Sequence, residues 1–347
     1  MRFGRRDGRH GHHTRRRRRA VIAGTALIAT PAGDVPAETL RAGDYVLALE
    51  DGAPVARPLR WVGQLPVAVA KSPAPHRVAP VRLAAGAIAE GRPVRDLLLS
   101  PDHAILLGRA LLPAQALRNG ATIAQDTSLG HVTYVHLELA RHGILSAEAL
   151  PVESFLDTGN RNQFALGRAA RGPPPDLSAT PSAGALEIRK TRGCAPLRLD
   201  TAAIVPAHLV MLERAKALGW TLTEDPALTV FADGTDVPTV RFGPDHWQAR
   251  LPAGTRAVRL ASRGFVPNDL NAAISDRRRL GVAVRSVRVA GRALPPGAFG
   301  RGWHLSELEW RWTDGDARLA LRALPAAATL ELRAAPGAAP GYWLPPA

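Results

Sequence analysis

Residues 97–107 read LLLSPDHAILL, an apolar run broken once by Ser100, Pro101, Asp102 and His103. The flanking stretches favour burial, yet between them stand a hydroxyl, a carboxylate and an imidazole. A plain hairpin needs only a turn there. Imidazole both gives and takes a proton near neutrality. A hydroxyl three residues before it can bond a carbonyl or orient the ring. Proton transfer is the chemistry this group suits. Ser-Pro-Asp is also a good turn, in which His103 would only satisfy buried polar ends. A second histidine, His142, lies in ELARHGILSAEAL. The chain's single cysteine, Cys194, excludes an intramolecular disulfide and a cysteine-based zinc cage. No metal or cofactor is expected.

Short strands must position these residues. Aromatics make up 5% of the 347 residues, and 30 prolines and 32 glycines favour strands and turns over long helices. AVIAGTALIAT (20–30) alternates as one buried strand. LRAGDYVLALEDGAPV (40–55) ends a strand at Asp51-Gly52, a hairpin dipeptide. RPLRWVGQLPVAVA (57–70) reads as a strand pair with Pro66 at an edge or bulge. Val132, Tyr134, His136 and Glu138 alternate as a half-exposed strand.

Three of these stretches resemble the Hint domain, the module shared by hedgehog autoprocessing domains and inteins. GTALIATPAGDVPAETLRAGDYVLA is similar to its opening block, through Gly24-Thr25, Gly33, Glu38, Leu40 and Gly43-Asp44. LSPDHAILL resembles the second block, with a hydroxyl residue three positions before a histidine. YVHLELARHGILSAEALPVESFLDTGNR resembles the late block in the form typical of bacterial Hint proteins. The resemblance implies an N-to-S or N-to-O acyl shift, begun by a thiol or hydroxyl on the domain's first residue. It further implies that His103 serves the amide nitrogen, that Ser100 assists on the same loop, and that His142 helps a second step. In the family the nucleophilic cysteine lies four positions before the Gly-Thr pair, where this chain has Ala20. A methyl group cannot attack a carbonyl. Cys194 lies beyond the Pro/Gly-rich stretch 165–185 and makes a poor stand-in. Asn160 and Asn162 fall later than the terminal asparagine that alanine-first inteins use. The resemblance thus implies autoprocessing ancestry with a degenerate site: Ser100, His103 and His142 kept, Ala20 in the nucleophile's place.

The expected organisation is mainly β. A basic disordered tail (1–19) precedes a Hint-type all-β domain (20–164) and a linker (165–199), of which ALGRAARGPPPDLSATPSAGA (165–185) is rich in Pro, Gly, Ser and Ala. A helix plus a β-sandwich-like domain (200–335) and a C-terminal tail (336–347) follow. Ile204, Leu209, Leu212, Ala215 and Leu218 predict one apolar stripe on that helix. Residues 225–335 return to short strands, similar to the C-terminal sandwich of some Hint proteins. Trp310 and Trp312, near Trp303, share a strand face that suits stacking against a sugar ring, or else core packing. An exported surface or glycan-binding protein is therefore the alternative reading. Asp314-Gly315-Asp316 reads as a turn sooner than a calcium loop.

The net charge of +15 does not point to nucleic acid, because residues 1–19 alone carry nine arginines and one aspartate. No aromatic residues interleave with that tail as a base-stacking surface requires. The absence of an 18-residue apolar run predicts no membrane span. RRRRRAVIAGTALIATPAGDVPA (15–37) has the outline of a secretory signal. Cleavage near Ala32 would remove the first strand, so the stretch is read as strand. Compartment and partner stay unassigned.

Overall fold

The structure, a computed structural model, describes residues 21–159, 161, 177, 181–307, 309–335 and 337–347. The basic tail, Ala20, Asn160, Asn162 and most of 165–180 lie outside the described residues. The chain is mainly β and divides into two compact units: up to 115 with 125–199, and 116–124 with 200–347.

In the first unit, Val132–Leu139 is a central strand. It pairs antiparallel with Ile22–Ala23 on one side (Ile22 opposite Val135) and with Ala53–Val67 on the other (Tyr134 opposite Leu65). Ala53–Val67 turns back on Tyr45–Glu50 through Asp51-Gly52, both at positive φ (50° and 82°), the hairpin expected from that dipeptide. Tyr45–Glu50 pairs with Ile144–Ala147, which pairs with Leu150–Glu153, which pairs with Ala104–Leu107. On the far side of Ile22–Ala23 lies Leu97–Leu99.

Three expectations are corrected. AVIAGTALIAT is two strands, Ile22–Ala23 and Leu27–Thr30, with different partners. The chain turns at Gly24, where a Cβ would stand 2.6 Å from Glu38 Oε2, so a larger residue there would require Glu38 to move. RPLRWVGQLPVAVA is not a strand pair. Most of it lies in one 15-residue strand, and Pro66 sits near its end opposite Thr133. Val132–Leu139 is not half exposed. Paired on both edges, it buries Tyr134 and His136 as well as Val135 and Leu137.

The expected linker contains a helix, Ala183–Arg192, that belongs to the first unit. Ser182 caps it by accepting the Ala185 N–H, and Arg189, Lys190 and Arg192 lie in its last turn, where cations suit the helix dipole. After it, Leu111 donates to Pro196 O (2.9 Å) and Arg198 donates to Leu111 O (2.9 Å), adding a short parallel bridge.

The second unit holds the helix Thr201–Ala217, capped by Asp200, a two-stranded pair of Thr221–Thr223 with Tyr342–Leu344, and two larger antiparallel sheets. One runs Thr235–Val237, Thr229–Ala232, Ala257–Ala261, Asp316–Ala320. The other is built on His246–Leu251, Ala328–Ala334, Ala283–Val289 and Trp310–Thr313, and the inner faces share one apolar core. The helix buries a different stripe from the one expected: His208, Met211 and Ala215 face inward, while Leu209 is 54% exposed. His208 Nε2 meets the carbonyls of Arg118 (2.9 Å) and Asp269 (3.0 Å), and that polar anchor sets the rotation. Residues 116–124, expected in the Hint domain, join this unit through Arg118–Asp269 and through Asn119, which donates to Met211 O at 2.9 Å. Trp312 is buried against Phe265 and Tyr342, so it forms no stacking platform with Trp310. Asp314-Gly315-Asp316 is a turn in which Asp314 accepts the Asp316 N–H.

Candidate functional site

Leu97–Leu99 and Ala104–Leu107 do not pair with one another. Leu97–Leu99 lies beside Ile22–Ala23 and Ala104–Leu107 beside Leu150–Glu153, so Ser100–His103 is a crossover between distant strands of one sheet. That explains the polar break. The crossover has buried backbone groups to satisfy and lands against the first described residue of the domain.

Ser100 grips that residue from both sides. Its N–H donates to Val21 O (2.9 Å), and its Oγ accepts the Val21 N–H (2.9 Å). The hydroxyl in turn donates to Asp102 Oδ1 (3.2 Å). Val21 N belongs to the peptide bond that starts at Ala20. His103 donates its N–H to Ser100 O and is 2% exposed, as buried as Ser100 and Asp102. Tyr134, also fully buried, donates to Val78 O. Burial, and after it the Asp102 charge, pushes its phenol well above the ordinary range, so it stays a neutral donor.

Glu153, at the end of Leu150–Glu153, joins this loop to His142. Its Oε1 accepts the Ala104 N–H (2.9 Å), and its Oε2 takes the Arg189 guanidinium (2.6 Å) and lies 3.4 Å from His142 Nε2. Glu153 is fully buried, and a buried carboxylate needs such partners. His142 Nδ1 accepts the backbone N–H of Cys194 (3.0 Å).

The structure thus places Ser100 and His103 on one loop at the strand start, and His142 on the other side of Glu153. Sequence reasoning misses Glu153 and Arg189 and sets Cys194 aside. A lone acid between Val152 and Phe155 in an apolar strand is the available signal for Glu153. Arg189 offers none, since its helix has no apolar stripe. His136, expected on a half-exposed strand, is fully buried against Phe155 (4.3 Å between ring centroids).

Two influences act on His142. Burial disfavours the charged ring. Hydrogen bonds to the Cys194 and Glu153 side chains outweigh it and raise the pKa from 6.5 to about 9. Nδ1 accepts the Cys194 amide only in the neutral ring, so protonation exchanges that bond for donation toward the Cys194 sulfur. A folded-state value above the ordinary one stabilises fully below about pH 6.5 and is lost as pH rises through about 9. Unfolding free energy is expected to drop over that window by on the order of 1–3 kcal/mol, with His142→Gln flattening the slope in urea titrations.

A family profile described as the Hint domain matches residues 21–159. Residues 21–159 form a Hint domain, and further segments lie beyond the match. Solved structures with similarity include an Ssp DnaB mini-intein (13% identity, 41% of this chain and 98% of that chain, TM-score 0.29). They also include a bacterial intein-like domain from Clostridium thermocellum (14%, 39% and 98%, TM-score 0.29). A DnaB intein from Synechocystis sp. stands at 12%, 40% and 100%, with a TM-score of 0.28. No curated protein matches the chain in sequence.

Proposed function

We propose that the Hint domain is an autoprocessing module that keeps its proton-handling loop and lacks its nucleophile. The clasp of Ser100 on Val21 carries this reading, because it fixes the loop bearing His103 against the start of the domain. In an active relative of this design, a thiol at position 20 would attack the carbonyl carbon of residue 19. The carbon–nitrogen bond would break as His103 gives a proton to the amide nitrogen. Ser100, bonded to Val21 and Asp102, would hold the chain in register for that transfer. Ala20 has no atom that can form the new bond, so the chain stays whole. His142 would serve a later step from its place beside Glu153.

The test is the intact mass of the purified full chain, with and without added thiol. A single species of full mass is expected. A fragment beginning at Ala20, or one ending near Asn160, overturns the reading.

A further inference from the structure

Cys194 is the chain's single cysteine, and the fold brings it to a histidine 52 positions away in sequence. Gly193 makes the approach. It closes the helix Ala183–Arg192 by donating to Arg189 O (2.9 Å), and a Cβ there would stand 2.4 Å from that oxygen. The next residue therefore leaves the helix against the His142 ring. Behind the ring stands Glu153, itself held by Arg189 and the Ala104 amide. Thiol, imidazole and carboxylate follow one another in the order that activates a nucleophile. The sulfur side is exposed, while the imidazole and carboxylate are buried.

Two features bear on what the thiol could take. Cys194 borders a cleft of about 780 Å³, and Leu49, Leu106 and Ile144 give that cleft an apolar floor. The helix end beside it carries Arg189, Lys190 and Arg192, the electropositive surrounding that favours thiolate chemistry. Among the described residues no group of three or more His, Cys, Asp or Glu side chains is arranged to hold a metal, which sets aside a metal role for this trio.

We propose that Cys194, with His142 as proton acceptor and Glu153 as the residue positioning the ring, is a nucleophilic site that accepts an apolar acyl group from an ester or thioester. With the thiol proton already held on the His142 ring, Sγ bonds the acyl carbon. The bond from that carbon to the leaving oxygen or sulfur breaks, and the leaving group takes the proton from His142. Water then attacks the acyl-cysteine and releases a carboxylic acid and the free thiol. The raised pKa of His142 suits a ring that carries a proton beside this sulfur.

The full chain treated with p-nitrophenyl butyrate is expected to release a burst of one nitrophenol per chain and to carry one butyryl group on Cys194, located by peptide mass. Iodoacetamide is expected to alkylate Cys194 in the folded chain at least about tenfold faster than in the urea-unfolded chain. His142→Gln should remove most of that advantage. No butyryl group on Cys194, or a folded chain alkylated no faster than the unfolded one, overturns the proposal. Undiminished alkylation in a folded His142→Gln chain overturns it too. Should that variant lose its circular dichroism spectrum, the folded-to-unfolded comparison decides alone. Failure here leaves the intact-mass result untouched, and a self-cleaved chain leaves this result untouched.

Discussion

Ala20→Cys is expected to split the chain in two. Position 20 contributes the carbonyl of the peptide bond whose nitrogen Ser100 grips, so a thiol added there enters a neighbourhood already organised by the crossover loop. Incubation with excess thiol should capture the acyl shift and release a fragment ending at residue 19, with the remainder beginning at the substituted position. His103→Ala in the same background should slow the release by about 10²–10⁴-fold, the usual contribution of a placed acid. Ser100→Ala should slow it as well, because the buried Val21 N–H loses its acceptor at a cost of about 1–3 kcal/mol. Gel and mass analysis over time decide. A folded Ala20→Cys chain that stays whole in thiol would show that the loop has lost more than its nucleophile.

The second large effect concerns stability. Arg189→Ala is expected to lower the unfolding free energy by about 3–5 kcal/mol, because it strips the main counter-charge from a carboxylate with no solvent exposure. The helix Ala183–Arg192 buries only Ala185 and Arg189, and helices of its length are marginal alone, so the ion pair is its principal anchor. Arg189→Met combined with Glu153→Gln should recover most of the loss. Glutamine still accepts the Ala104 N–H, and no charge is left buried. Urea denaturation of the single and double variants measures the coupling. A cost below about 1 kcal/mol for Arg189→Ala would mean that water reaches Glu153 and that the helix is held by other contacts.

Much of the first unit is legible in the sequence because its signals are local. Asp51-Gly52 announces a hairpin by its tolerance of positive φ, and the hairpin is there. The Hint blocks announce themselves by residue types at short fixed spacings, and the family match spans them. What the sequence hides is pairing at a distance. LLLSPDHAILL reads as two strands about a turn, but nothing in it says that its halves join different neighbours. Arg189 sits on a helix without an apolar face, beyond a Pro/Gly-rich stretch, and its partner lies 36 positions back. The central strand reads as half exposed because Tyr134 and His136 are types that stand at surfaces as readily as in cores. The Thr201–Ala217 stripe misleads for a related reason. His208 is buried by meeting two carbonyls, and a hydrophobicity pattern cannot register that attraction.

The order of the strands also sets a timetable during synthesis. Ile22 finds its partners at Leu99 and Val135, so this strand has no edge to join until residues far along the chain have left the ribosome. At roughly 5–20 residues per second, that wait is on the order of ten seconds. In an active chain of this design, chemistry at the start of that strand would therefore trail translation, and the topology would guard it against premature scission.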